Sequence, residues 1–360
     1  MTDHQPKQDD SERNLHVGKI GFSKSMVSII KKVALLGILA LAVLYLLPQL
    51  SSIENSLKVL STLKPWAISL AIIAQFISYS GNGMTTSECV KLTGNKITTL
   101  RGMLIALTSA SIGLVAGGMF GSTASTFRWV KASGGGNDGS SLAASLPPIF
   151  VDIALLAVSV IGLVFLLFVH DLTRTQVISF SLVTLLLIAL AILCFLAVKH
   201  QKAAIEKMLV ILEKFYVFFK KDFPKEQTRT NLEKLFATGT YLIKGGWKGP
   251  LKGASFNIFF DMLTLYFVFL ASGKSISVFV LIAGYGLPWL IGRMAFIFPG
   301  GVGVIESAMV ALFITLGIDK ALATIAVLVY RVISFWVPSL IGFIVLPILN
   351  AITGKKPIQD

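Results

Sequence analysis

The stretch FPGGVGVIESAMVALF, residues 298–313, interrupts one of the most apolar regions of the chain. Pro299, Gly300, Gly301 and Gly303 break the helical pattern, and Glu306 follows within one turn. Helix breaks and carboxylates are both costly in hydrocarbon, where backbone polar groups find no water and a charge finds no counter-ion. Their coincidence predicts a discontinuous helix lining a cavity within a helical membrane protein, where non-helical backbone is tolerated.

Composition around this stretch agrees. The chain has 360 residues, of which 54% are hydrophobic and only 14% charged, against about 25% charged in an ordinary soluble domain. Mean hydropathy is +0.79. Apolar runs of about 18 residues or more recur, the mark of a polytopic helical protein. Candidate spans are 29–48, 66–84, 99–118, 146–169, 177–198, 254–271, 276–298 and 321–349. The fold class expected is all-α, with eight spans and two broken or re-entrant segments, 116–141 and the stretch from Phe298 to Gly317. Residues 1–28 read as a disordered cytoplasmic tail, 29–350 as a single membrane domain and 351–360 as a second cytoplasmic tail. No small-x-small cleavage site precedes the end of the first apolar run, so that run is expected to be retained.

The net charge of +14 sits mostly in short segments between apolar runs. That is the positive-inside pattern, with anionic lipid as the counter-charge rather than nucleic acid. Residues 199–252 carry twelve Lys/Arg against five Asp/Glu and include an amphipathic helix with Ile205, Met208, Leu209, Leu212, Phe215 and Phe219 on one face. This connection, the N-terminal tail and the 85–101 loop are all expected in the cytoplasm. Three clear spans separate the 85–101 loop from the basic connection, an odd number. Segment 116–141 is therefore expected to cross most of the membrane itself. Two units of opposite orientation follow, the pattern of an inverted repeat. In that alignment Ile112-Gly113 matches Ile291-Gly292, Arg128 matches Glu306, Asp152 matches Tyr330-Arg331, and Gly162 matches Gly342.

Six ionisable residues mark the candidate site: Arg128, Asp152, Asp261, Arg293, Glu306 and Arg331. Intramembrane charges pair with one another or line a wet cavity. Static pairs such as Glu306 with Arg331 or Arg128 with Asp152 are the plainer expectation. The sharper one has Arg128 and Arg331 binding an anionic headgroup, which guanidinium groups suit through bidentate hydrogen bonds. Asn257 and Asp261 lie one turn apart and are expected to bond to each other, with Asn257, Asp261 and Arg293 as secondary site residues. Tyr330 and Trp336 read first as packing or interface anchors.

No enzyme constellation emerges. GGVGVIE lacks the lysine and strand context of a phosphate-binding loop, and no nucleophile elbow is present. Cys89, Cys194 and the histidines at 4, 16, 170 and 200 show no metal-ligand spacing. No cofactor is expected.

Residues 298–342 resemble the C-terminal signature of the lysylphosphatidylglycerol synthase transmembrane-region family. Pro299, Gly300, Gly301, Gly303, Glu306, Tyr330, Arg331, Pro338 and Gly342 carry the likeness, with Arg128 and Asp152 matching the first-half Arg and Asp. The Gly-Glu usual before that Arg is replaced near Ala124-Ser125, and the Glu-Arg before the Asp is missing around Pro147-Pro148. The resemblance implies a flippase-like bacterial inner-membrane domain that moves an anionic or aminoacylated phospholipid, a hopanoid or a polyprenyl-linked lipid. It also implies Arg128, Asp152, Pro299, Gly300, Gly301, Gly303, Glu306, Tyr330 and Arg331 as translocation residues. Because aminoacyl transfer in the two-part proteins belongs to a separate soluble domain, no synthase activity is expected. Membrane lipids are the expected partners. The rival readings are a scaffold for a lipid- or glycan-modifying enzyme and an integral-membrane lipid transferase.

Overall fold

Glycine and small hydroxyl residues set the central helix contact. α1 (Pro65–Lys91) begins with proline in its first turn, where the missing N–H costs nothing. It lies against α6 (Lys248–Ala271) over nearly its whole length. A Cβ at Gly81 would meet the Asn257 backbone nitrogen at 2.6 Å, and one at Gly253 would meet the Thr85 nitrogen at 2.6 Å. Close backbone approach through small residues is the usual basis of helix association in lipid. The contacts run Lys64 to Ala271, Ala71 to Thr264, Ser78 to Asn257 and Thr85 to Gly253, so the two helices are antiparallel.

The computed structural model describes residues 63–169 without 117, isolated positions from 178 to 197, and 199–353 with short gaps at 219–223, 227, 231, 234–235, 237–244 and 295–298. All described residues belong to one compact unit, 44–360. The expected tail 1–28, all of the expected tail 351–360 except the helical residues 351–353, the span 29–48 and most of 177–198 lie outside the described residues, as do His4, His16, His170 and Cys194.

After α1 come α2 (Thr99–Val115), α3 (Met119–Val130) and α4 (Gly136–Val169). Thr98 caps α2 by accepting from the Arg101 N–H. α5 (Gln201–Phe218) is the amphipathic helix of the basic connection, with Ile205 and Leu209 packed on Leu232 and Phe236. α6 leads to α7 (Val278–Met294), α8 (Val304–Thr315), α9 (Lys320–Arg331) and α10 (Val337–Thr353). All regular structure among the described residues is helical.

Segment 116–141, expected to be irregular, is mostly helix. Its breaks are concentrated at Gly118 (φ +63°), Gly134 (φ +90°) and Gly136 (φ +64°). α3 turns back along α2: Gly113 abuts Gly118 and Ser122, while Trp129 packs with Ile97 and Ile105 at the opposite end of α2. α4 then starts beside Thr93 and Asn95, on the side where α2 began. The C-terminal half repeats the manoeuvre. Gly292 abuts Ile305 and Gly284 abuts the Phe313 ring, so α8 returns along α7. The expected span 321–349 is one path with a π-turn, Val332–Trp336, between α9 and α10.

Among the described residues, three helical stretches are long and apolar enough to cross a membrane: Met119–Leu166, Lys248–Ala271 and Lys320–Thr353. α2 and α7 have 17 residues each, about 25 Å of helix at ~1.5 Å per residue, short of a ~30 Å hydrocarbon core. α1 has 27 residues but buries Gln75, Ser78, Thr85, Thr86 and Ser87, which lowers its apolar content.

Candidate functional site

The polar positions of α1 explain what the bundle encloses. Gln75, Tyr79, Asn82 and Thr86 recur at intervals of four, three and four residues, one face of a helix. They form one wall of a cavity of about 350 Å³. Asn257 and Asp261 of α6, Tyr285, Trp289 and Arg293 of α7, Ser109 of α2, Ser122, Thr123 and Thr126 of α3, and Ser334 of the π-turn complete its polar lining. Pro147, Pro148 and Val151 of α4 form an apolar side.

At the inner end, Asp261 is buried. Tyr285 donates to its Oδ2 at 2.7 Å and Tyr330 to the same oxygen at 2.6 Å. Trp289 Nε1 donates to the Tyr330 hydroxyl at 3.1 Å. One carboxylate thus ties α6 to α7 and α9, and hydrogen bonding compensates for burying it. Tyr330, read first as packing, is a member of this network. Asn257 does not bond to Asp261 as expected; its amide donates to the Ser78 hydroxyl at 2.8 Å and the Ser78 carbonyl at 3.1 Å. The close approach of α1 turns that amide toward α1.

At the outer edge, Arg293 Nε lies 3.0 Å from Asp152 Oδ1, with side chains 43% and 48% exposed. Met119 and Pro148 are also exposed there. The site therefore runs from a half-exposed ion pair to a buried hydroxyl and carboxylate cluster.

The Pro-Gly-Gly break lies outside the cavity lining. Arg331 Nε donates to Glu306 Oε1 at 2.6 Å, with the two side chains only 1% and 6% exposed. Glu306 Oε2 accepts from the Gly303 N–H at 2.6 Å, capping α8. Arg331 Nη2 donates to the Gly300 carbonyl at 3.0 Å, and its guanidinium lies 4.5 Å from the Phe335 ring centroid and 5.4 Å from that of Trp289. Gly300 and Gly301 adopt φ of +67° and +63°, conformations that favour glycine. These residues form a closed clamp fastening α9 to the break. Arg331 is thus held behind the wall, while Arg128 is exposed on α3 and absent from the cavity lining. Of the two pairs expected from sequence, Glu306–Arg331 forms, whereas Asp152 takes Arg293 instead of Arg128.

Sequence reasoning did not single out Gln75, Tyr79, Ser109, Tyr285 or Trp289. Their signal was available: helical-period polar positions on α1, and the spacing of Tyr285, Trp289 and Arg293 four residues apart on α7.

A family model described as the lysylphosphatidylglycerol synthase TM region matches residues 30–342. The chain is 26% identical over 224 residues to a UPF0104 membrane protein of Pyrococcus horikoshii, covering 59% of this chain and 65% of that protein. It is 30% identical over 148 residues to one of Methanothermobacter thermautotrophicus, covering 39% and 44%. With one of Methanocaldococcus jannaschii it shares 30% over 97 residues, covering 27% and 29%. In each case the match spans less than two thirds of the relative's length.

Proposed function

This chain belongs to the lysylphosphatidylglycerol synthase TM region family of membrane proteins, and we propose that it moves an amphiphilic lipid between leaflets without altering it chemically. The headgroup enters the cavity beside α2, α3 and α7 while the tails stay in the bilayer. The observation that carries this reading is the 350 Å³ cavity, which gathers polar side chains of α1, α2, α3, α6 and α7 although the surrounding helices are apolar. Intramembrane polar side chains of this kind commonly mark a substrate path.

An inverted repeat supports alternation. α2 and α7 have 17 residues each, α3 and α8 have 12 each, and α4 and Lys320–Thr353 have 34 each. The corresponding helices α1 and α6 are antiparallel and meet at Ser78 and Asn257, positions 179 apart. α2 packs against α10 as α7 packs against α4, each half clasping the other. Rocking of one half against the other around a fixed site is the mechanism such repeats permit. In this reading α2–α3 and α7–α8 are re-entrant hairpins. Lys91, Lys96, the basic connection and the end of α10 face the cytoplasm of a bacterial inner membrane, as their positive charge favours.

The test is headgroup accessibility of fluorescent phospholipids in proteoliposomes. Ala106, on the cavity wall, is replaced by tryptophan to fill the space. Protein-dependent movement lost in Ala106→Trp is the expected result. Movement that persists unchanged in this variant would remove the cavity from the path.

A further inference from the structure

The cavity's unpartnered atoms describe the headgroup it takes. Among the described residues, Gln75 Oε1, Ser109 Oγ and Ser334 Oγ are buried without a hydrogen-bond partner. Their residues are only 5%, 3% and 8% exposed, and all line this one cavity. A buried polar atom left without a partner is costly, and three on one cavity ask for a ligand that satisfies them. Gln75 Oε1 is purely an acceptor, and the two serines both donate and accept.

Resting on the reading of this cavity as a headgroup site, we propose that its inner end takes an uncharged, hydroxyl-rich headgroup of the glycerol or sugar type, with the lipid phosphate held back at Arg293. A hydroxyl both donates and accepts, so it answers all three atoms. A phosphate oxygen only accepts and leaves Gln75 Oε1 unsatisfied. Placed deep, a phosphate would also lie beside the Asp261 carboxylate and away from every cationic lining residue except Arg293 at the edge. Arg331 is bonded through Nε to Glu306 and through Nη2 to the Gly300 carbonyl, and its buried, unpartnered Nη1 belongs to a residue outside the cavity lining. The planes of Tyr285 and Trp289, with ring centroids 6.2 Å apart, offer an apolar face to a sugar ring. An ammonium finds one interior carboxylate, and both tyrosine hydroxyls already occupy its Oδ2.

The experiment uses the full chain and three fluorescent lipids: phosphatidylglucose, phosphatidic acid and phosphatidylethanolamine. Movement is followed in proteoliposomes, and binding is followed by native mass spectrometry. The expected result is glucosyl-lipid binding at least tenfold tighter than that of the other two, weakened about tenfold by Gln75→Leu and by Ser109→Ala. Ser109→Ala removes one small hydroxyl and guards against a folding failure in Gln75→Leu. Equal or tighter binding of phosphatidic acid or phosphatidylethanolamine would overturn the inference, as would indifference to both substitutions. Selective binding without movement would sustain the headgroup assignment while refuting transport. Movement with the opposite selectivity would do the reverse.

Discussion

Glu306→Gln removes the one carboxylate that, among the described residues, pairs with Arg331, and leaves a guanidinium that is 1% exposed facing neutral groups. Breaking a buried ion pair by removing one partner costs about 3–5 kcal/mol, because the remaining charge stays desolvated. The glutamine oxygen can still accept from Gly303 N–H, so the α8 cap is retained in part. Arg331→Met removes the cation instead, strands Glu306 and releases the Gly300 carbonyl, and should cost a similar ~3–5 kcal/mol. The double variant Glu306→Gln/Arg331→Met carries neither charge and should cost less than the sum of the singles by at least ~2 kcal/mol, well above the ~0.5 kcal/mol scatter of independent sites. Unfolding by sodium dodecyl sulfate in mixed micelles, followed by far-ultraviolet circular dichroism, measures all four proteins. Additive costs, or a stable Glu306→Gln that has lost lipid movement, would refute the clamp. The pair would then act on the substrate. The same reasoning changes the outlook for Arg331→Gln. The sequence alone suggests a folded but inactive protein, whereas the buried clamp predicts loss of stability.

Gly300→Ala combines a left-handed φ with a Cβ driven into the Phe335 ring, and should cost at least the ~1–3 kcal/mol of such backbone strain in the same unfolding assay. Asp261→Ala strands the Tyr285 and Tyr330 hydroxyls at about 1–3 kcal/mol each; Asp261→Asn, which keeps one acceptor, should be milder, and size-exclusion yield will rank the two. Gly81→Leu forces α1 away from Asn257, so the folded, monodisperse fraction should collapse where Gly94→Ala, with open space around it, leaves more folded protein. Asp152→Asn breaks only a half-exposed pair and should change stability by less than ~1 kcal/mol, while altering the rate of lipid movement if the edge of the cavity is the entrance.

The helices were readable because their apolar runs and charge placement act locally. α6 and α7 coincide closely with the spans expected at 254–271 and 276–298. The path of 116–141 was not readable for a specific reason. Glycines at 118, 134 and 136 signal breaks, but sequence does not say that the intervening twelve residues of α3 fold back on α2; that depends on Gly113 and Gly121 admitting the partner backbone. On the proposed inverted repeat, more residues lie between α7 and α8 than between α2 and α3, which would set Glu306 opposite Gly121 rather than Arg128. Among the charges, the Glu306–Arg331 contact was foreseeable, whereas Asp152's choice of Arg293 required the antiparallel packing of α4 on α7.

The clamp and the cavity are linked through α9. Tyr330 and Arg331 are adjacent, and they reach to opposite partners: Tyr330 to Asp261 on the cavity wall, Arg331 to Glu306 at the start of α8. Trp289 joins the two, donating to the Tyr330 hydroxyl while its ring lies near the Arg331 guanidinium. A shift of α8 that pulled Glu306 from Arg331 would therefore disturb the end of α9 and, through Tyr330, the donors at Asp261. Packed cores respond to such shifts between discrete arrangements rather than by smooth deformation. The Glu306 carboxylate accompanies the helix break because it caps α8 at the Gly303 N–H and pairs with the buried Arg331, whose Nη2 also holds the Gly300 carbonyl. If the proposed transport moves α8, this is the pair that must part.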